Sequence, residues 1–559
     1  MANALSKVDE DSDIRAARSD QVGAVPSSTP AAPPAFVPMP MGRAGLYMFT
    51  SVLMFLTQGL GMNLLNANLY QIQGDLSVTT NEAAWLSAVY MAPYASMSIA
   101  LFKMRTQYGL RRFAEIAIAC FVVASLANLF VSDFHSALVV RFISGMAAAP
   151  LSTIGFLYML EPFPPEKKMS LALSLALACT LFAAPLSRII SPSLLDFGGF
   201  HALYTFEMAL ALIALPFIYM LPLTSPPRAK VIQRMDILSY LILAGAFGCL
   251  AVALSLGRLY WWFEAPWIGV LFATSVGLMT LFAVVELNRA VPLIDLRWIF
   301  TWPNVHVAVV LIVFRMVSSE QSTTAFNFFQ QIGLLNDQIT TLYATILLAS
   351  VVAGGFCAIL MNYGKADIAH IIALALIGTG AFMDSGATNL TRPDQMLLSQ
   401  AMVAAGAAMF LPPAMAKGIK SVFAKGAPYF VNFIAIFLFT QSIGGLIASA
   451  TLGTFVTVRE KFHSNVLAEH IVMTDPFVAQ RVSQLSSTYG KVITDKTLLN
   501  AEGLTMLGQQ VTREAYVLAY NDTFYIIFVV SVASLGLLLL HQFWRTIALI
   551  RQPSAAATA

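Results

Sequence analysis

The sequence predicts an all-α polytopic membrane protein, on three observations. Of its 559 residues, 58% are hydrophobic and 11% charged, less than half of the roughly 25% charge typical of a soluble domain. Apolar runs of about 20 residues, each long enough to cross a hydrocarbon core of roughly 30 Å, recur from Leu46 onward. The runs are continuously apolar rather than alternating, so they read as helices and not as barrel strands. The same composition excludes a cytosolic enzyme with a small anchor. A net charge of +3, spread along the chain, indicates no nucleic-acid partner. Cys120, Cys179, Cys249 and Cys357 lie inside apolar stretches and read as packing residues, forming neither a disulfide framework nor a metal site.

Residues 1–45 mix acidic and basic side chains from Asp9 to Asp20, then run through Ser, Pro and Ala. They have almost nothing to bury and are expected as a disordered cytoplasmic tail, with no signal-peptide pattern. Fourteen spans follow, near 46–67, 83–104, 113–133, 135–160, 169–192, 201–222, 236–256, 266–286, 304–327, 340–362, 367–384, 397–417, 428–453 and 523–545. Alternate short loops hold the basic residues: Lys103, Arg105, Arg111 and Arg112, then Lys167 and Lys168, Arg228, Lys230 and Arg234, Arg289 and Arg297, Lys365, Lys417, Lys420 and Lys425, and Arg545 and Arg551. The loops between carry little beyond Arg258 and Arg392. Both termini are therefore expected in the cytoplasm. One connection, 454–522, is long enough to escape that rule and lies outside, with helix-compatible stretches at 475–487 and 498–520. It reads either as an element with a partner or gating role or as a passive surface loop.

Several segments then resemble one family, the fourteen-helix drug:proton antiporters of the major facilitator superfamily, and most closely its EmrB-type multidrug efflux permeases. Arg141-Phe-Ile-Ser-Gly145 on span 4 resembles the superfamily's Arg-x-x-x-Gly motif, and Phe163-Pro-Pro-Glu-Lys-Lys168 resembles the cytoplasmic turn that follows it. Trp85 to Gly109 fits span 2 and its basic turn, Pro292 to Phe300 resembles the amphipathic lead into the second half, and the large outer loop before the last span is an EmrB-type trait. The resemblance implies a 6+2+6 arrangement: a six-helix bundle over 46–222, two extra linker helices and the amphipathic segment over 223–303, a second bundle with the large periplasmic loop over 304–546, and a cytoplasmic tail over 547–559. It also assigns Gly109, Arg112 and Gly145 to conformational motifs. Three departures stand beside it. The loop motif after span 2 has Phe102 and Arg105 where the family has Gly and an acid, span 5 reads Arg188-Ile-Ile-Ser-Pro192-Ser in place of Gly-Pro-x-x-Gly-Gly, and the family's Asp on span 1 falls on Gly61.

Ionisable groups inside a bilayer cost about 2.5–3.5 kcal/mol each on the insertion scale and so require a reason. Arg141 (span 4), Arg188 (span 5), Glu207 (span 6), and Arg315 with Glu320 (span 9) are such groups. At a rise of about 1.5 Å per residue, Arg141 and Glu207 lie ~9 Å inside the outer ends of their helices, Arg188 ~6 Å and Glu320 ~10 Å, with Arg315 near the midplane. Ion pairs among the five are expected to set their proton affinity; a structural ion pair or snorkelling competes for Arg188 and Glu207, and an interhelical hydrogen bond for Arg141. Arg315 and Glu320 are about 140° apart on their helix, which disfavours their pairing directly. Each begins a polar stripe: Arg315, Ser319 and Thr323, and Glu320, Thr324, Asn327 and Gln331. Span 1 shows a comparable face in Asn63, Asn66, Tyr70 and Gln73, and span 13 adds Asn432 and Gln441. These residues are expected to border one wet substrate cavity, which the resemblance places between the two halves.

No phosphate-binding loop is present and the seven histidines lack ligand spacing, so no ATP, cofactor, metal or covalent chemistry is expected. The function expected is proton-coupled secondary export of small amphiphilic compounds, drugs or acidic metabolites, across a Gram-negative inner membrane by alternating access. An excess of arginine over glutamate favours an anionic substrate. Two alternatives stay open: an uncoupled facilitator or importer of an anionic metabolite, and a transport-inactive scaffold or accessory subunit. A periplasmic adaptor and an outer-membrane channel are partners implied by the resemblance alone.

Overall fold

A computed structural model of the chain describes residues 38–224, 228–423 and 429–551. The body from Met39 onward forms one compact unit. Residues 1–37 of the expected tail, Lys425, and residues 552–559 lie outside the described residues. Among the described residues, fourteen helices are long and apolar enough to cross a membrane, and we number them as spans: Met41–Ala67, Thr80–Tyr108, Leu110–Phe130, Phe134–Leu160, Pro165–Gly199, His201–Met220, Arg234–Leu256, Pro266–Leu287, Trp302–Gln331, Asn336–Asn362, Ala366–Asp384, Pro393–Lys420, Asn432–Glu469 and Lys496–Ile547. There are no strands among the described residues. Residues 41–45, expected in the tail, already belong to span 1.

Local chemistry sets where the helices begin. Span 2 opens on a capping box in which Thr79 N–H donates to Glu82 Oε2 at 2.8 Å and Glu82 N–H donates to Thr79 Oγ1 at 3.3 Å. Asp133 caps span 4, accepting from the His135 N–H. Gly109 joins spans 2 and 3 at φ +85°, a conformation that glycine adopts without strain.

The 454–522 connection is largely an extension of its flanking helices. The helix of span 13 runs from Tyr429 to Glu469 and that of span 14 from Lys496 to Arg551, with a short helix Pro476–Ser487 laid against the latter. Gly503 permits that contact: a Cβ there would lie 2.6 Å from the Val482 carbonyl oxygen. We call this end of the bundle the hairpin side and the opposite end the far side.

With little hydrophobic drive between helices in lipid, small residues set their approach. Gly145 of span 4 lies on the backbone of Tyr90 in span 2, where any Cβ would collide with the carbonyl oxygen. Gly380 and Gly406 bring spans 11 and 12 together in the same way, with the Ser399 and Ala373 carbonyls each 2.6 Å from a built Cβ. Aromatic packing fills the rest: Phe314 of span 9 stacks on Phe410 of span 12 at 4.4 Å, and Phe156 of span 4 meets Phe437 of span 13 edge-on.

Candidate functional site

Two groups of buried charge occupy the hairpin-side half. In the first, Arg141 (1% exposed) donates from Nη1 to the Gly61 carbonyl at 3.1 Å and lies 4.4 Å over the Tyr90 ring. Its Nε and Nη2 are buried without a partner, as is Oε1 of Glu207. Span 6 brings the Glu207 carboxylate against span 1 at the height of Gly61, so that a Cβ on residue 61 would lie 2.5 Å from Glu207 Oε1. Gly61, Tyr204 and Glu207 share a small cavity there. The carboxylate missing from span 1 is thus supplied, at the same place, by span 6.

The second group surrounds Glu320, which is fully buried. Gln400 of span 12 donates through Nε2 to Glu320 Oε1 at 2.8 Å and to Asp384 Oδ2 of span 11 at 2.7 Å. Ser399 donates to the other Asp384 oxygen. Gln321 Nε2 donates to the Gln400 carbonyl at 2.8 Å, while Glu320 Oε2 has no partner. Glu320 opens a π-helical turn, Glu320–Ala325, a feature frequent at functional sites. Asp384, Ser399 and Gln400 escaped the sequence reading; a Ser-Gln pair early in an otherwise apolar helix was the available signal.

Arg188 and Arg315 belong to neither group. The Arg188 guanidinium reaches from span 5 to the Ser322 carbonyl at 3.4 Å and lies over Phe326 and Tyr343 at 4.0 and 5.1 Å. Beside it, Asn336 of span 10 donates to the Ala67 carbonyl at 2.9 Å, and Ser191 donates to Asn68. Arg315 is half-buried, its stem against Gly444 and its guanidinium against Gly445 of span 13, within electrostatic reach of Tyr94 on span 2.

Several sequence expectations are corrected. No ion pair joins Arg141, Arg188 or Arg315 to Glu207 or Glu320 among the described residues; aromatic faces and carbonyl oxygens take the Arg141 and Arg188 guanidinium groups instead. The single chamber fails for Glu320, which spans 11 and 12 wall off. The stripe from Glu320 through Thr324, Asn327 and Gln331 is interrupted because the π-turn adds a residue to the helical repeat. Thr324 is buried with an unpartnered hydroxyl, Asn327 is half-buried, and Ser319 and Thr323 donate to carbonyls of their own helix. Tyr70 is 54% exposed, because the chain breaks at Asn68 and Tyr70 with Gln73 belongs to a separate helix, Leu69–Asp75.

Asn63 donates to the Gly59 carbonyl within span 1, and Asn66 accepts from Ser87 of span 2. Asn432 accepts the Asp295 N–H at 3.0 Å, which ties span 13 to the linker segment on the far side and away from any cavity. Gln441 keeps a buried amide nitrogen without a partner. Of the motif residues, Gly109 lies under the Arg228 side chain, Gly145 at the span 2 crossing, and Arg112 is exposed.

Residues 51–449 match the Major Facilitator Superfamily profile. The chain is similar to the fatty acid resistance protein FarB of Neisseria gonorrhoeae, at 22% identity over 81% of this chain and 87% of that protein. It is likewise similar to the multidrug export protein EmrB of Haemophilus influenzae, at 22% identity over 90% and 96%. Its fold resembles the crystal structure of the human organic anion transporter MFSD10, with a TM-score of 0.53 at 12% identity, over 88% of this chain and all of that one.

Proposed function

Because the chain belongs to the Major Facilitator Superfamily, we propose that it exports small amphiphilic compounds in exchange for protons, by alternating access. As a member of that superfamily it is a multi-pass membrane transporter and not an enzyme. The observation that carries the finer reading is the set of buried charges without an ion-pair contact on the hairpin side: Arg141 and Glu207, within electrostatic reach of each other around Gly61, and Glu320 on Gln400. A membrane protein keeps such groups at a cost of several kcal/mol, and proton exchange is a use that repays it. Gly61 alone would favour an uncoupled facilitator; the Glu207 carboxylate beside it argues for coupling.

The export direction is supported by the name of the EmrB relative. We place both termini in the cytoplasm and the hairpin side outside, in a bacterial inner membrane, following the loop lysines and arginines. An adaptor bound at the hairpin, leading to an outer-membrane channel, rests on the EmrB-type resemblance.

Asp384 makes three acids against three arginines in this half, so the excess of positive charge expected from the sequence disappears. The preference for an anionic substrate then rests on Arg315, half-buried between spans 2, 9 and 13 with no carboxylate at ion-pair distance among the described residues. A carboxylate with an apolar body suits it, consistent with the fatty acids in the name of the FarB relative. The test compares efflux of matched acidic and cationic amphiphiles. Arg315→Ala is expected to cut acid export about tenfold or more, roughly 1.4 kcal/mol, and to spare cation export. Equal losses overturn the anionic reading, and purified protein that releases no protons on substrate addition overturns the coupling.

A further inference from the structure

We infer that Glu320 and Asp384, bridged by Gln400, form a two-carboxylate site that binds one shared proton on the hairpin side of spans 9, 11 and 12. The inference deepens the coupling reading above by naming a second proton site whose principal members, Asp384 and Gln400, come from other helices than Glu320.

The geometry is that of an acid pair separated by one amide. The two hydrogens of Gln400 Nε2 are divided between Glu320 Oε1 and Asp384 Oδ2, at 2.8 and 2.7 Å. The remaining Asp384 oxygen accepts from Ser399. Three of the four carboxylate oxygens are therefore occupied by neutral donors, and the fourth, Glu320 Oε2, is buried with none. Glu320 is 0% and Asp384 2% exposed, so the set is shut off from bulk water. An unpartnered oxygen in that setting is the place for a hydrogen.

Charge makes the same point. Two ionised carboxylates would leave −2 in the membrane interior, and no lysine, arginine or histidine lies at ion-pair distance from either among the described residues. The groups facing this turn from neighbouring helices are Tyr343 of span 10, which lies within electrostatic reach of Glu320, and Arg188 of span 5, which reaches the Ser322 carbonyl and the Tyr343 face. One shared proton leaves −1 opposite the single positive charge of Arg188, and the group is neutral as a whole. Neither ionisation of both acids nor protonation of both gives that balance.

A metal cation fits the arrangement poorly. The point between the two acids is occupied by an NH₂ group, which presents hydrogens and repels a cation. The hard cations take six or more oxygens in a converging set, whereas the oxygens here are divided by the amide. The position is also suited to exchange with the hairpin-side solvent: Asp384 ends span 11 and Ser399 and Gln400 lie near the start of span 12, held together by the close contact at Gly380.

The test is a pH titration of the purified full chain followed by infrared difference spectroscopy of the protonated-carboxyl C=O stretch. Wild type is expected to show a band worth one carboxyl group that Glu320→Gln removes, Asp384→Asn removes, and the double variant reduces no further. Gln400→Leu keeps both acids and is expected to shift the band in frequency, a readout that survives if Asp384→Asn does not fold. A band of unchanged amplitude in both single variants overturns the inference, as does its abolition by sodium at constant ionic strength. Substrate-dependent proton release, measured on the same samples, separates the two claims. A wild type with the band but no release sinks proton-coupled export and leaves the acid pair standing; release without the band does the reverse.

Discussion

The far-side cluster around Asp236 and the hairpin-side groups that hold Arg141, Glu207 and Glu320 carry buried charge in opposite ways, whereas Glu460, also buried on the hairpin side, keeps Lys461 at 3.5 Å. On the far side, Asp236 at the start of span 7 takes Lys103 Nζ at 2.8 Å and Arg289 Nη2 at 2.6 Å, while Arg289 Nη1 reaches Glu286 at 2.8 Å. Glu286 also accepts the N–H groups of Leu293 and Ile294. Burial works against the Arg289 guanidinium, yet the hydrogen bonds it donates to Asp236 and Glu286 more than offset it and hold its proton more tightly than usual. On the hairpin side, Arg141, Arg188 and Arg315 have no acid, and Glu207, Glu320 and Asp384 have no cation, at ion-pair distance among the described residues. Two cations closed on two acids brace the far end of span 2 against spans 7 and 8. Six ionisable groups without an ion-pair contact are poised to change partners.

The comparison breaks most readily where charge is unpaired. Glu207→Gln is expected to reduce proton-driven transport in proteoliposomes by about 100-fold, the ~10²–10⁴ range of a proton-transferring group, with the melting temperature unchanged or higher. Removing the charge relieves a burial cost that exceeds the attraction of the nearby Arg141. A fall in stability with transport retained would place Glu207 among the structural charges. The far side should respond in reverse. Asp236→Ala strands Lys103 and leaves Arg289 with Glu286 alone, and is expected to cost about 3 kcal/mol, the low end of the range for a buried pair that loses one partner, read as lower yield and thermal stability. Transport per folded molecule should change little.

A pair of glycine substitutions sharpens the contrast within one bundle. Gly145→Ala drives a Cβ into the Tyr90 backbone, which cannot move aside, and should cost about 1–3 kcal/mol of stability. Gly61→Ala meets only the end of the Glu207 side chain. It should be nearly silent in stability and should weaken proton-driven transport by displacing the carboxylate. Thermal melts and transport assays on both proteins check the pair; equal stability losses would mean that Glu207 is as rigidly held as the backbone.

The fourteen spans were legible because apolar length is a local property, and Arg141, Glu207 and Glu320 stood out because a charge in an apolar run is conspicuous. Asp384 did not. It ends span 11 next to Ser385 and Gly386, where an acid looks like the start of a loop, and only the packing of spans 9 and 12 buries it. Gly61 read as a lost carboxylate because nothing in the period of span 1 says that span 6 delivers Glu207 to the same height. The polar stripes of span 9 were drawn on a regular helix, and the π-turn at Glu320 breaks that assumption. Partners across helices were the illegible part, and the charge comparison above depends on them.

The smallest effect is expected from a charge that is exposed and fully hydrogen-bonded. Asp133 caps span 4 on the hairpin side, and the Ser136 side chain, opposed only by slight desolvation and aided by backbone N–H groups and Ser132, holds its carboxyl below the ordinary aspartate range. A carboxylate with a depressed folded value stabilises the protein above its unfolded value and loses that contribution as pH falls through the folded one. Its influence is thus confined to pH below about 4. Asp133→Asn should leave transport unchanged from pH 5 to 8 and alter only the acid limb of thermal stability. Any shift of the neutral-pH transport profile in Asp133→Asn would show that exposed surface charge, rather than the buried acids, sets the pH response of this half of the bundle.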